Sequence, residues 1–167
     1  GANIVSPSAI ADVDGDGYPE IFVAGGANLV SLDRFGNIIW SVPVHDTSGA
    51  SGPSIFDFEG DGVPEVVYID EIQMLVVNGV TGEKKFHTTD HASDTMMDYP
   101  VIADVDADGH AEIIVAHAGN GRALSVYGDA ANMWANCRPL WNQHAYSINN
   151  VSDDLSVPQT QVPGFTD

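Results

Sequence analysis

Three short acidic segments hold the residues of this sequence that are best suited to chemistry. They are "DVDGDGYPE", "DFEGDGVPE" and "DVDADGHAE", which begin at Asp12, Asp57 and Asp104. Each places acids at positions 1, 3, 5 and 9 and a glycine at position 6. Two carboxylates about 4 Å apart repel by roughly 4 kcal/mol at an effective dielectric near 20, so such a cluster needs a positive charge. Calcium, which takes about six to eight oxygen ligands, would supply that charge.

The spacing also indicates which oxygens would hold the ion. Positions 1, 3 and 5 surround a common centre when the chain curls, and glycine at position 6 permits the sharp backbone step. The carbonyl of position 7 and the Glu at position 9 then complete the set. We therefore predict three Ca²⁺ ions and no catalytic residues, with these metal ligands: Asp12, Asp14, Asp16, the Tyr18 carbonyl and Glu20; Asp57, Glu59, Asp61, the Val63 carbonyl and Glu65; and Asp104, Asp106, Asp108, the His110 carbonyl and Glu112.

Four other interpretations fit the acidic segments less well than a calcium site. They are a zinc site, a magnesium site, an EF-hand loop and a plain hairpin turn. Ligand sets without Cys or His side chains favour Ca²⁺ over Zn²⁺, and four carboxylates favour it over Mg²⁺. An EF-hand loop has its last Glu at position 12 between two helices, whereas here Glu stands at position 9 and β-branched residues follow. A single segment could equally be a hairpin turn with solvated acids. Three in register, each with its Glu, favour the metal site.

The elements that position these segments repeat with them. The first acids lie 45 and then 47 residues apart, a period typical of propeller blades. A short apolar stretch with an initial proline precedes each segment, and a β-branched run such as "EIFVA" or "EIIVA" follows it. Two more candidate strands come after, in the third unit within "ALSVYGDAANMWAN" with a bend at Gly128 and Asp129.

The fold class predicted from this pattern is all-β. We expect a partial β-propeller of three four-stranded antiparallel blades, at about residues 4–46, 50–92 and 97–138, followed by residues 139–167 as an irregular tail or degenerate fourth blade. Propellers close with about four to eight blades, so three do not complete one. We therefore expect a fragment of a larger protein, with the missing blades supplied by the parent chain or another subunit.

The three units resemble the FG-GAP or VCBS repeats of integrin α-like calcium-binding β-propellers. The matching residues are "DVDGDGYPEIFVAGG", "DFEGDGVPEVVYID" and "DVDADGHAEIIVAH". The Phe-Gly and Gly-Ala-Pro flanks are mostly absent, and position 9 is Glu where integrins commonly have Asp, which is nearer to the bacterial VCBS branch. The resemblance implies that the acidic loop joins the first two strands of a blade and binds Ca²⁺, while other loops contact ligands.

Composition limits the possible partners. The net charge of -19 comes from 24 acids against five lysines and arginines, which excludes a basic surface for nucleic acid or anionic membranes. No apolar run approaches the roughly 18 residues of a membrane span, so we expect no membrane insertion. The single cysteine, Cys137, permits no internal disulfide, and we expect it to act as a small buried hydrophobe.

The leading hypothesis is a non-enzymatic, extracellular or cell-surface bacterial propeller segment for adhesion, recognition of a protein or glycan ligand, or scaffolding. One alternative is a module of a polysaccharide-degrading enzyme, whose acid and base would lie in missing blades or among His87, His91 and His144. Another is a lectin, in which tryptophans stack on sugar rings. His87 and His91 also have the i, i+4 spacing of a zinc pair, although a loop is the expected context.

Overall fold

The computed structural model describes residues 5–25, 27–93, 98–118, 121–144 and 146–160. Within these ranges eleven strands form three antiparallel sheets, in each of which neighbouring strands are consecutive in the sequence. The first sheet contains β1 (Ala9–Ala11), β2 (Glu20–Gly25), β3 (Asn28–Leu32) and β4 (Ile38–Pro43); the second β5 (Ser54–Phe56), β6 (Glu65–Ile69), β7 (Met74–Asn78) and β8 (Lys84–Thr88); the third β9 (Val101–Ala103), β10 (Glu112–Ala116) and β11 (Leu124–Tyr127). No helix in the described part of the chain is long and apolar enough to cross a membrane.

The sheets pack face to face in sequence order, as the blades of a propeller do. We call the face of each sheet that points toward the next sheet its front face, and the opposite one its back face. Phe22 and Leu29 on the front of the first sheet pack against Tyr68 and Leu75 on the back of the second. A second cluster joins the front of the second sheet, including Val67, to the back of the third. The prediction of an all-β, partial propeller is confirmed.

The third sheet differs from the other two in its last part. Its described residues form three strands, and the segment after Tyr127 does not continue as a fourth. Instead the chain passes between two acidic loops, where Ala135 donates its amide to the Phe58 carbonyl at 2.7 Å and its carbonyl accepts the Ala111 amide at 3.1 Å. Trp134 stacks on Phe58 with ring centroids 4.6 Å apart. These contacts with the second and third acidic loops replace the pairing that a fourth strand would make with β11.

The C-terminal tail has no regular strand in the described residues, yet it is fastened to the sheets. Arg138 Nη1 donates hydrogen bonds to the Tyr146 hydroxyl, the Ile148 carbonyl and the Val151 carbonyl at 3.1, 3.2 and 3.0 Å. Val151 is buried.

The strands of each sheet fall within one predicted unit, while the unit boundaries stay a prediction. The boundary residues Ile4 and Met97 and the last residues 161–167 lie outside the described ranges.

Candidate metal sites

Each acidic loop connects the first strand of its sheet to the second. The Glu at position 9 is the first residue of the second strand and pairs with the last residue of the first strand in every copy: Glu20 with Ala11, Glu65 with Phe56 and Glu112 with Ala103. All three of these Glu side chains are buried. Since the strand pairing fixes the backbone on both sides of the loop, the residues between must curl over the Glu.

Hydrogen bonds to the carboxylates hold the curl. The Glu Oε2 accepts the amide of position 2 from Val13, Phe58 and Val105 at 3.1, 3.1 and 2.9 Å. The Oδ2 of the position-1 Asp accepts the position-6 amide from Gly17, Gly62 and Gly109 at 2.8, 2.8 and 3.0 Å. Asp16, Asp61 and Asp108 accept the position-7 amides at 2.8, 2.9 and 2.8 Å. The loops therefore share one conformation.

This conformation needs a left-handed backbone at positions 4 and 6. The φ angles of Gly15 and Gly17 are 75° and 86°, and Gly60 and Gly62 follow at 66° and 85°. Glycine adopts such angles at little cost. The third loop places alanine at position 4, and Ala107 keeps the same conformation with φ 66°. The glycines of these loops thus suit the left-handed angles of the curl, which Ala107 adopts as well.

Three of the four predicted carboxylates meet in each loop. In every group one oxygen per residue lies within 4.8 Å of the others, and the groups are Asp12, Asp14 and Glu20; Asp57, Glu59 and Glu65; and Asp104, Asp106 and Asp108. Two oxygens that bind one Ca²⁺ at about 2.3 to 2.6 Å can lie up to about 5 Å apart. One ion could therefore reach all three carboxylates of a group. The remaining carboxylates, Asp16, Asp61 and Glu112, lie outside these groups.

The donor chemistry of the first loop fits calcium. A carboxylate oxygen that accepts one amide keeps a second lone pair, so the internal hydrogen bonds do not exhaust its capacity for ligands. Burial raises the pKa of Glu20, and the neighbouring Asp14, Asp12 and Asp16 raise it further, while its bond from the Val13 amide lowers it. Negative charge therefore remains uncompensated around Glu20. A divalent cation held by Asp12, Asp14 and Glu20 would neutralise it.

The second loop differs because a lysine lies against its acids. Lys85 Nζ donates hydrogen bonds to Glu65 Oε1 at 2.6 Å and to Glu59 Oε2 at 2.9 Å. Burial lowers the pKa of Lys85, but its bonds to the two glutamates outweigh burial and hold that pKa above its usual value. Lys85 was not among the residues predicted from the sequence, since "EKKF" shows a basic pair in a strand but not which lysine turns toward the loop.

The third loop has neutral neighbours from the segment that follows β11. Asn132 Nδ2 donates to Asp108 Oδ2 at 2.6 Å. The His110 carbonyl, predicted as a metal ligand, is 3.7 Å from Cys137 Sγ. Burial raises the pKa of Cys137 to about 11, and nearby Asp104 and Glu112 raise it as well. Cys137 is therefore held as a thiol, half-buried beside the loop.

The histidines of the alternative hypotheses do not come together as a pair. His87 lies on β8 with Nε2 3.0 Å from Gln73 Oε1, whereas His91 is buried with its ring 5.0 Å from that of His117. His144 packs against Tyr99, with ring centroids 4.8 Å apart. The i, i+4 spacing of His87 and His91 thus falls on residues with different surroundings.

All three tryptophans take part in the packing between sheets. Trp40 is buried and donates its indole N–H to the Gly79 carbonyl at 2.7 Å, and Trp134 stacks on Phe58. Trp141 also packs against the second cluster, contacts Tyr146 with ring centroids 4.8 Å apart, and lines a cavity beside the first strands of the sheets. Of the three tryptophans, Trp141 is therefore the one that lines this cavity.

Comparisons with known proteins agree with this architecture. Residues 12–68, about a third of the chain, match the model of a family described as FG-GAP-like repeat. The matched range begins at the first acidic loop, includes the whole second loop and ends in β6. Over this range the chain is thus similar to FG-GAP-like repeat proteins.

A particular protein of known structure is also similar. The crystal structure of the V. cholerae biofilm matrix protein Bap1 matches 88% of this chain with a TM-score of 0.77 and 29% sequence identity. The chain spans 26% of the length of that protein. No curated protein sequence matches the chain.

Proposed function

We propose that this chain is a calcium-stabilised segment of an extracellular bacterial β-propeller, nearer to the VCBS branch, that serves adhesion, ligand recognition or scaffolding without being an enzyme. The observation that supports it is the repeated loop geometry, in which three carboxylates converge beside the start of a buried strand. The similarity to a biofilm matrix protein supports an extracellular location. Acids committed to holding a metal are poor proton donors and acceptors, which disfavours catalysis in the loops.

The exposed front face of the third sheet supports the need for further blades. Position 2 of the acidic loop is buried between sheets in the first two copies, where Val13 and Phe58 are 1% and 2% exposed. In the third copy Val105 is 53% exposed. Leu124 and Val126 of β11 are also exposed. We infer that another blade, from the parent chain or a second subunit, covers this apolar face.

Thermal unfolding with and without calcium tests the proposal. At a Kd of about 10⁻⁴ to 10⁻³ M, typical of extracellular modules, 10 mM Ca²⁺ adds about 1.4 to 2.7 kcal/mol per occupied site. For a chain of this size that raises the melting temperature by roughly 3 to 11 °C per site. Magnesium at the same concentration should have a smaller effect, because it prefers octahedral sites that keep several waters.

Matched variants separate site binding from general charge screening. Asp14→Asn and Asp106→Asn keep one side-chain oxygen and remove the charge of an exposed ligand in the first and third loops, so each should reduce the calcium-induced shift. Glu83→Gln removes an exposed charge outside the loops and should leave the shift unchanged. Equal melting temperatures in calcium and in chelator would contradict the calcium proposal.

Glycan recognition is a second candidate, favoured by one cavity. The space of ≈ 770 Å³ lies among the first strands of the sheets and the tail, and Tyr99, Trp141 and Tyr146 line it. Aromatic rings offer sugar rings an apolar face together with a polar edge. Oligosaccharides that enter should quench tryptophan fluorescence in the wild type and in Trp134→Phe but not in Trp141→Phe. Unchanged fluorescence across a panel of bacterial polysaccharide fragments would count against this candidate.

A further inference from the structure

The second acidic loop contains a cation of the protein itself. Lys85 reaches Glu59 and Glu65, two of the three residues whose oxygens converge in that loop. The Glu65 side chain is 1% exposed and that of Lys85 is 30% exposed, so most of the lysine side chain is covered. The ammonium group therefore lies against two of the three carboxylates that would otherwise hold the metal.

A bulge turns Lys85 toward the loop. In the second sheet Val76 pairs with Phe86 and Val77 pairs with Lys84, which leaves Lys85 without a partner in the ladder. Bulges bend a strand and re-aim the side chain of the extra residue. The lysine is thus directed at the acids by the backbone, and its neighbour Lys84 is not.

The same bulge recurs in the first sheet with a different residue. There Ser31 pairs with Trp40 and Leu32 with Ile38, so Ile39 is the extra residue. An isoleucine cannot donate a hydrogen bond to a carboxylate. In the third sheet the segment after β11 contributes Asn132, a neutral donor, to Asp108. Among the described contacts, a lysine or arginine pairs with acidic-loop carboxylates in the second loop alone.

We propose that Lys85 acts as a tethered cation that fills the second acidic loop and competes with Ca²⁺, so that this loop binds the ion more weakly than the first and third loops. Calcium would have to break two charge-assisted hydrogen bonds, and breaking one corresponds to roughly a tenfold or larger change in a binding constant. The middle sheet is then held together at low calcium while the loops on either side respond to it. This proposal rests on the proposed calcium binding of the first and third loops.

Isothermal titration with CaCl₂ tests the competition between Lys85 and Ca²⁺, and is carried out on the wild type, on Lys85→Met and on Lys84→Met. The wild type should show two sites of similar affinity and a third at least about tenfold weaker. Lys85→Met should bring the third site to the affinity of the other two. Lys84→Met removes the same charge from the adjacent exposed position and should behave as the wild type.

A reciprocal variant keeps the test decisive if Lys85→Met does not fold. Ile39→Lys combined with Asp14→Glu rebuilds the lysine and glutamate of the second loop in the first, and should leave a single strong site. Three equal sites in the wild type, or unchanged binding in a folded Lys85→Met or in the reciprocal variant, would overturn the lysine proposal alone. No binding by any of the proteins would instead overturn the proposed calcium function and this inference with it.

Discussion

Replacing Ala107 with glycine should stabilise the protein. Ala107 has φ 66° at the loop position where Gly15 has φ 75° and Gly60 has φ 66°. The left-handed conformation costs an L-residue roughly 1 to 2 kcal/mol. Glycine removes that cost but loses more chain entropy on folding, by roughly 0.5 to 1 kcal/mol. The difference predicts a gain of about 0.5 to 1 kcal/mol for Ala107→Gly.

Urea unfolding followed by circular dichroism measures this gain, and the melting temperature should rise by about 2 to 4 °C per kcal/mol. Gly15→Ala is the matched reverse change. A Cβ at Gly15 meets no other atom within 4 Å, so its cost should come from the backbone angle and equal about 0.5 to 1 kcal/mol of lost stability. A less stable Ala107→Gly, or a Gly15→Ala as stable as the wild type, would refute the shared left-handed geometry of the loops.

Two further predictions concern the tail and the first loop. Arg138→Ala removes three hydrogen bonds to the tail and should speed proteolysis within residues 146–160. Arg122→Ala breaks the exposed pair with Asp90 and should leave the rate of that proteolysis unchanged. Equal rates of proteolysis in the two variants would contradict the anchoring role of Arg138. The raised pKa of Glu20 means that its carboxyl group binds a proton more tightly in the folded state than in the unfolded chain. In chelator, the free energy of unfolding should therefore fall as the pH rises above the ordinary pKa of Glu near 4.5. Calcium or Glu20→Gln should reduce this slope in urea unfolding, and a slope of opposite sign would contradict the buried, uncompensated carboxylate.

Much of the fold was accessible from the sequence because the repeat carries several signals at once. The acids, the glycine at position 6 and the β-branched run that follows recur at nearly constant spacing. Each copy therefore supports the others, and the order of strands within each sheet is the short antiparallel one that such spacing favours. The position-9 Glu was also placed correctly at the start of a buried strand, as Glu20 shows.

The remaining features depend on contacts between distant residues. The segment 128–138 has the local pattern of a turn and a strand, but its packing on Phe58 decides its course. Lys85 approaches the second loop because of a bulge, and a bulge has no reliable local signature. The tail contacts of Arg138 likewise join residues that no periodicity relates. The sequence predicted three equivalent loops, whereas the structure gives each of them a different neighbour.

A crystal structure grown in calcium, with anomalous diffraction data to locate the ions, tests the central claim most directly. We expect density in the first loop at about 2.3 to 2.6 Å from the oxygens of Asp12, Asp14 and Glu20, and in the third loop beside Asp104 and Asp106. A structure in which neither loop holds an ion, whether or not calcium is bound elsewhere, would contradict the proposed calcium sites.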